Sequence, residues 1–178
     1  MTEVGIRPAL ETDVDAITAI YNEAVVNTTA SWDDSPVSRQ SRLEWLRANT
    51  SGRNVTLVAE IGGRVVGFAS YGAFRTKAGY DETVEHTVYL SPESRGYGLG
   101  SRLLGALIEA ARLRGIHVMV GALSHENEAS LRLHQTLGFV EVARMPEVGK
   151  KFGRWLDLVL VQLVLDDRRR PGDPIPTD

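Results

Sequence analysis

The stretch Leu90-Ser91-Pro92-Glu93-Ser94-Arg95-Gly96-Tyr97-Gly98-Leu99-Gly100-Ser101 joins a strand-like run to a helix-like one. Pro92 lacks a backbone donor and stops the strand. Three alternate glycines strip side chains from the turn, so successive N–H groups can converge on an anion. The helix that follows adds unpaired N–H groups and the positive end of its dipole. Arg95 brings a full charge to the entrance. This is the chemistry of a diphosphate cradle. A P-loop would end in Gly-Lys-Ser/Thr, whereas this turn ends Leu99-Gly100-Ser101. The dinucleotide fingerprint needs two residues between its second and third glycines, and only Leu99 separates Gly98 from Gly100. Both common nucleotide loops fail on spacing. A turn that merely packs its helix tightly is the plainer alternative.

Upstream, Thr83 to Leu90 reads as a strand. Alternation puts Thr83, Glu85, Thr87 and Tyr89 on one face, and Val84, His86, Val88 and Leu90 on the other. A glutamate in mid-strand is out of character. It is either a proton acceptor whose pKa is raised by partial burial, or half of a cross-strand ion pair with Arg154 or Lys151. Downstream, Gly98 to Arg114 carries Leu103, Leu104, Leu107, Ile108 and Ala111 at helical spacing.

Nearer the N-terminus come a short strand, Val4 to Arg7, and a helix capped by Thr12 or Asp13. A polar loop, Ser31 to Pro36, carries Trp32. Ser38 caps a second helix with Leu43 and Leu46 inward. Val55 to Ile61 and Arg64 to Ala73 form a hairpin through Gly62-Gly63. Beyond the central helix follow a strand (Ile116 to Leu123), a helix (Glu128 to Leu137) and a strand (Phe139 to Ala143). Arg154 to Leu165 is apolar enough to be buried on both faces. The expected fold is one α/β domain over residues 1–165, a mixed sheet flanked by helices. A disordered Arg-, Pro- and Asp-rich tail is expected at 166–178.

The 178 residues suffice for one hydrophobic core. A net charge of -3 provides no field for nucleic acid or anionic lipid, so a phosphate-bearing ligand needs a local site. The chain has no cysteine, which excludes disulfides, thiolate metal sites and a Cys nucleophile. No apolar run approaches a membrane span, and the N-terminus lacks a secretory signal, so cytoplasm is expected. His125-Glu126-Asn127-Glu128-Ala129 lacks the second histidine of the zinc motif, and no metal is expected. Gly67-Phe68-Ala69-Ser70-Tyr71-Gly72 has Phe68 where a nucleophile elbow needs glycine.

Arg95-Gly96-Tyr97-Gly98-Leu99-Gly100, between a strand and a helix, resembles the Arg/Gln-x-x-Gly-x-Gly/Ala motif of the GNAT superfamily of acyl-CoA N-acyltransferases. The resemblance implies that the backbone from Gly96 through Ser101 holds the CoA pyrophosphate. It implies that Val88, Tyr89 and Leu90 pair with the pantetheine arm where their strand splays from its neighbour. Asn127 to Phe139 is similar to the segment that flanks pantetheine and thiol, although Asn127 serves equally as a helix N-cap. His134 stands where many members carry a tyrosine that protonates the departing thiolate. Histidine, with a reference pKa of ~6.5 against ~8.5 for a thiol, suits that work; the other reading packs it beneath the helix.

Thr87-Val88-Tyr89, Arg132-Leu133-His134 and Lys151-Phe152-Gly153-Arg154-Trp155-Leu156-Asp157 narrow the resemblance to the phosphinothricin and methionine sulfoximine N-acetyltransferases, over about Ile6 to Leu165. That branch implies acetyl-CoA as co-substrate, an amino-acid α-amine as acceptor, Glu85 as general base and a homodimer. It also implies an acceptor site lined by Arg75-Thr76-Lys77 and Glu85-His86-Thr87. Arg75 or Lys77 suits the acceptor carboxylate, and Trp32 can close over its side chain. Phe152 and Leu156 replace histidines of herbicide-detoxifying members, which favours methionine sulfone or sulfoximine over phosphinothricin. The alternatives are a transferase of this fold for protein N-termini or polyamines, and a non-catalytic acyl-CoA sensor. Arg75 and Lys77 argue against a polycation, and Glu85 and His134 against a sensor.

Overall fold

A computed structural model describes residues 4–175; the outermost parts of the expected domain and tail, 1–3 and 176–178, lie outside the described residues. Strands β1 (Val4–Pro8), β2 (Val55–Ile61), β3 (Arg64–Ala73) and β4 (Thr83–Leu90) pair antiparallel in sequence order. Gly62 and Gly63, at φ +58° and +77°, make the tight β2–β3 turn that needs left-handed backbone twice. Helices α1 (Val14–Asn27) and α2 (Arg39–Ala48) cover one face of this half, and α3 (Leu99–Arg112) covers the other. The alternation of the strands divides the core accordingly. Val58 and Phe68 pack with Val14, Ile17 and Leu46, whereas Ala69, Tyr71 and Val84 pack with Leu103, Leu104 and Leu107.

Ser38 caps α2 as expected, accepting the Ser41 N–H at 3.1 Å. Asp13 stands at the head of α1 but makes no side-chain cap to that helix. Its carboxylate takes both arms of Arg7, at 2.7 and 2.8 Å, and the Leu10 N–H.

β5 (Val118–Ser124) lies parallel to β4 and pairs with it only from Thr83–Val118 to His86–Gly121. Beyond that point β4 stays with β3 and β5 stays with β7 (Arg154–Val164), so the sheet forks. Helix α4 (Glu128–Thr136) follows β5.

Three expectations need correction. The strand expected at Phe139 to Ala143 is β6 (Val140–Lys151), the sheet's outer strand beside β7. Its register breaks between Met145 and Gly149, where Pro146 lacks a donor and Glu147 sits at φ +56°. The β6–β7 turn runs through Phe152 and Gly153, at φ +51° and +73°. β7 is not buried throughout on both faces: Leu156, Val159 and Val161 are buried, Leu158 and Leu160 only partly so, and Trp155 and Val164 are exposed. Order also continues past Leu165. The Arg168 side chain is 6% exposed, pairs with Asp166 and Glu82, and donates to the Gly115 carbonyl. Among the described residues no helix is long and apolar enough to cross a membrane.

Candidate active site

The fork opens a groove of about 660 Å³ between the end of β4, the start of α3 and the outer face of α4. Its floor is the β4 edge from Val88 to Leu90, which has no β5 partner. Its end is the glycine turn. Gly96 and Gly98 hold φ of +84° and +73°, and α3 starts at Leu99 with no acidic residue in its first turn. A Cβ at Gly96 or Gly98 would meet no protein atom within 4 Å, so the space above the turn stays open; at Gly100 it would stand 2.7 Å from Leu133. These residues fit an elongated ligand ending in a diphosphate. Arg95 borders the groove, but its charge is already engaged by Glu23 on α1, at 2.6 Å, and by the Leu90 carbonyl. Tyr97 is 83% exposed at the tip of the turn.

Asn127 is a helix cap that also borders the groove. Its Oδ1 accepts the Ser130 N–H at 3.2 Å, capping α4, while the residue lines the groove with Ser130, Leu133 and His134.

Glu85 lies half-buried on the α1–α2 face of β4, between Gly72 of β3 and Val120 of β5. Burial raises its pKa above the ordinary carboxylate value, and the nearby charge of Arg75 partly opposes the rise. Among the described residues no cross-strand ion pair holds it. Arg154 pairs with Glu126 at 2.7 Å, and Lys151 donates to the Ser31 carbonyl. Arg75, Thr76 and Lys77 are exposed on the β3–β4 connection, where Arg75 stacks 4.2 Å from the Phe74 ring centre.

His86, expected with the acceptor segment, faces the opposite way and is 5% exposed. Its Nδ1 lies 2.8 Å from the Val120 carbonyl and its Nε2 2.8 Å from Nε2 of His134, whose Nδ1 lies 2.7 Å from the Ser130 carbonyl. Two neutral imidazoles carry two ring protons for these three contacts. Burial pushes both pKa values down, which favours the neutral pair. His134 lines the groove, yet both of its nitrogens are engaged; this departs from the free acid expected of it. The pair fits because of Gly121, where a Cβ would stand 2.9 Å from His86, 2.9 Å from Val161 and 3.4 Å from His134.

Residues 17–139 match the profile of the acetyltransferase (GNAT) family. The chain belongs to the GNAT acetyltransferase family. Among GNAT relatives, the L-amino acid N-acyltransferase MnaT of Escherichia coli (strain K12) is 49% identical over 94% of this chain and 98% of its own. An L-methionine sulfoximine/L-methionine sulfone acetyltransferase of Pseudomonas paraeruginosa is 49% identical over 93% of this chain and 96% of its own. The structure of yncA from Salmonella typhimurium, solved with its cofactor acetyl-CoA, has a TM-score of 0.92 and 48% identity, covering 95% of this chain and 98% of that one. Acetyl-CoA is the cofactor of this acetyltransferase. Among the described residues no cluster of three His, Asp or Glu side chains is placed to hold a metal.

The structure adds residues around the groove that local pattern left out. Thr28, Thr29 and Ala30 line the groove from the end of α1, and the buried Ser124 hydroxyl lines the adjoining space between Thr87 and His134. Trp32 lies against the backbone of Gly149 on β6, and Asp33 accepts from the Tyr21 hydroxyl at 2.5 Å. Phe152 is half-exposed at the β6–β7 turn, and Leu156 is fully buried. Arg42, 6% exposed, carries the one available signal: a charge at the inward stripe of α2, three and four residues before Trp45 and Leu46.

Proposed function

We propose that this acetyltransferase acylates the α-amine of a small amino acid, of the methionine sulfone or methionine sulfoximine type, in the cytoplasm and as a homodimer. The carrying observation is Glu85, a half-buried carboxylate without an ion-pair partner among the described residues, with its pKa raised, on the strand that forms the floor of the cofactor groove. Acetyl-CoA, when bound, supplies a thioester-activated acetyl group. The main chain of Gly96 to Ser101 holds its pyrophosphate, and the open edge from Val88 to Leu90 pairs with its amides. Positioning the amine supplies most of the rate gain. Glu85 takes the ammonium proton, directly or through water, and free N–H groups at the fork serve the developing negative oxygen. His134 reaches the departing sulfur only after releasing Ser130 or His86, and that release is part of this reading.

Arg75, Thr76, Lys77 and Thr87 border the acceptor, with Trp32 closing the loop beside it. Neutral Phe152 gives a phosphinate no counter-charge, which favours the sulfone and sulfoximine. The apolar, exposed Val140, Val142, Met145 and Val148 on the outer strand β6 support a second copy docking there, which light scattering after gel filtration tests.

The deciding experiment is thiol release measured across methionine sulfone, methionine sulfoximine, phosphinothricin, unmodified amino acids, N-terminal peptides and polyamines. Highest kcat/KM on the first two supports the assignment. A preference for peptides or polyamines overturns the acceptor class. Acetyl-CoA binding with no release on any amine makes the chain a sensor.

A further inference from the structure

We infer that Arg42 holds the carboxylate of the acceptor amino acid, in a cavity between α1, α2 and β4. The inference rests on the reading of the chain as an amino-acid acetyltransferase. It replaces Arg75 and Lys77, which the sequence suggests for this task but which lie exposed to solvent, where water screens their charge.

Arg42 is a guanidinium that folding has taken out of water, and a buried charge needs a partner. The other well-buried arginine, Arg168, has two, Asp166 and Glu82. Half-exposed Arg7 likewise has Asp13 and Glu60. Arg42 makes no ion pair among the described residues, and its buried Nε has no hydrogen-bond acceptor. What holds it is aromatic: the guanidinium carbon lies 3.8 Å from the Tyr21 ring centre and 4.7 Å from that of Trp45. Stacking of this kind fixes the plane of the fork and leaves its edge free for a carboxylate. Asp33, which lines the same cavity, is tied to the Tyr21 hydroxyl.

The cavity measures about 290 Å³, and its wall includes Tyr21, Trp45, Phe68, Thr87 and Tyr89. That is a mainly aromatic container with two charged groups, Arg42 and Asp33, at the small end of the size range of ligand pockets, about 300–1,000 Å³. Thr87 and Tyr89 place it beside the chemistry. They share a strand face with Glu85, and Thr87 stands ~7 Å along the strand from it. Both also line the space that adjoins the cofactor groove at Asn127 and His134. A carboxylate on Arg42 therefore leaves the amine on the face that carries Glu85.

The test compares the wild-type protein and Arg42→Gln on methionine sulfone and on its carboxamide, which keeps the amine and side chain and loses the negative charge. Wild type is expected to prefer the acid. Arg42→Gln should raise the acceptor KM for the acid by about 10- to 100-fold, the loss of a hydrogen-bonded charge pair. It should leave the amide, and the KM for acetyl-CoA, within a factor of about two. Equal losses on acid and amide would make Arg42 a packing residue and overturn the inference. If Arg42→Gln fails to fold, wild type alone decides, because equal kcat/KM on acid and amide overturns the inference without any variant. Brisk turnover of both would leave the amino-acid reading standing while this one falls. Turnover of neither would remove both.

Discussion

Replacing Gly149 by alanine puts a methyl group where Trp32 already is. A Cβ there would stand 2.1, 2.3 and 2.8 Å from Cζ3, Cε3 and Cη2 of the indole, against the 3.4–4 Å of ordinary contact. The ring is rigid, so it must retreat by about an ångström or more, or β6 must shift. The loop cannot yield freely, because Lys151, two residues along β6, holds the neighbouring Ser31 carbonyl. Overpacking of this kind costs about 1–3 kcal/mol. For a chain of this length each kcal/mol lowers the melting midpoint by about 2–4 °C. In a Trp32→Ala background the same alanine should cost nothing, so the coupling should be as large as the single effect. Thermal melts of the four proteins measure it, and acceptor kinetics show whether the loop matters to the site. The expected result is a raised acceptor KM with the acetyl-CoA KM unchanged. Equal cost in both backgrounds would refute the packing argument. Normal acceptor kinetics in a destabilised Gly149→Ala protein would detach the loop from the acceptor site.

Gly98→Val forces a β-branched residue to φ +73°, costing about 1–2 kcal/mol, and puts a side chain over the cradle; calorimetry should find acetyl-CoA affinity lost, and unchanged affinity would sink the cradle. Glu85→Gln should lower turnover by about 10²- to 10⁴-fold at neutral pH, and by less at high pH where the amine is already neutral; a pH profile parallel to wild type would remove Glu85 from proton transfer. Because the Arg75 charge restrains the Glu85 pKa, Arg75→Gln should move the acidic limb of kcat/KM to higher pH, and no movement would refute that coupling. The buried histidines bind protons less readily folded than unfolded, so stability should be full above about 6.5 and fall as pH drops toward the low value of His86, about 3. Denaturant midpoints between pH 5 and 7 should decline more gently in His86→Phe, and an unchanged slope would contradict neutral burial.

The hairpin of β2 and β3, the extent of β4 and the Ser38 cap were legible because each is set by neighbours in sequence. Gly62-Gly63 announces its turn, and Ser38 precedes its helix. The β6–β7 hairpin hides because Phe152 occupies a left-handed position that glycine or asparagine would have advertised. The β6 irregularity hides for a related reason: Pro146 reads as a terminator, yet an Asp157 oxygen accepts the Glu147 N–H and carries the strand past it. Groove-lining residues are legible where a motif names them, as at Gly96, Gly98 and Gly100, and hidden where partners are distant. Arg95 appears free until α1 brings Glu23 to it, and His86 meets His134 only across the fold. Local spacing carries no information on such meetings.

Gly121 sits where the two central strands part, and a single hydrogen atom there decides two things together. It makes the berth for His86 and the berth for His134, at the last residue pair that joins β4 to β5. Any side chain there would press on both imidazoles and on Val161, so this end of the groove tolerates little change. The aromatic chamber around Arg42 shares Tyr89 with the groove, but its other walls include α1 and α2, from which it can be reshaped while Tyr89 is kept. Retuning the enzyme for a new amine should therefore leave its grip on the donor intact.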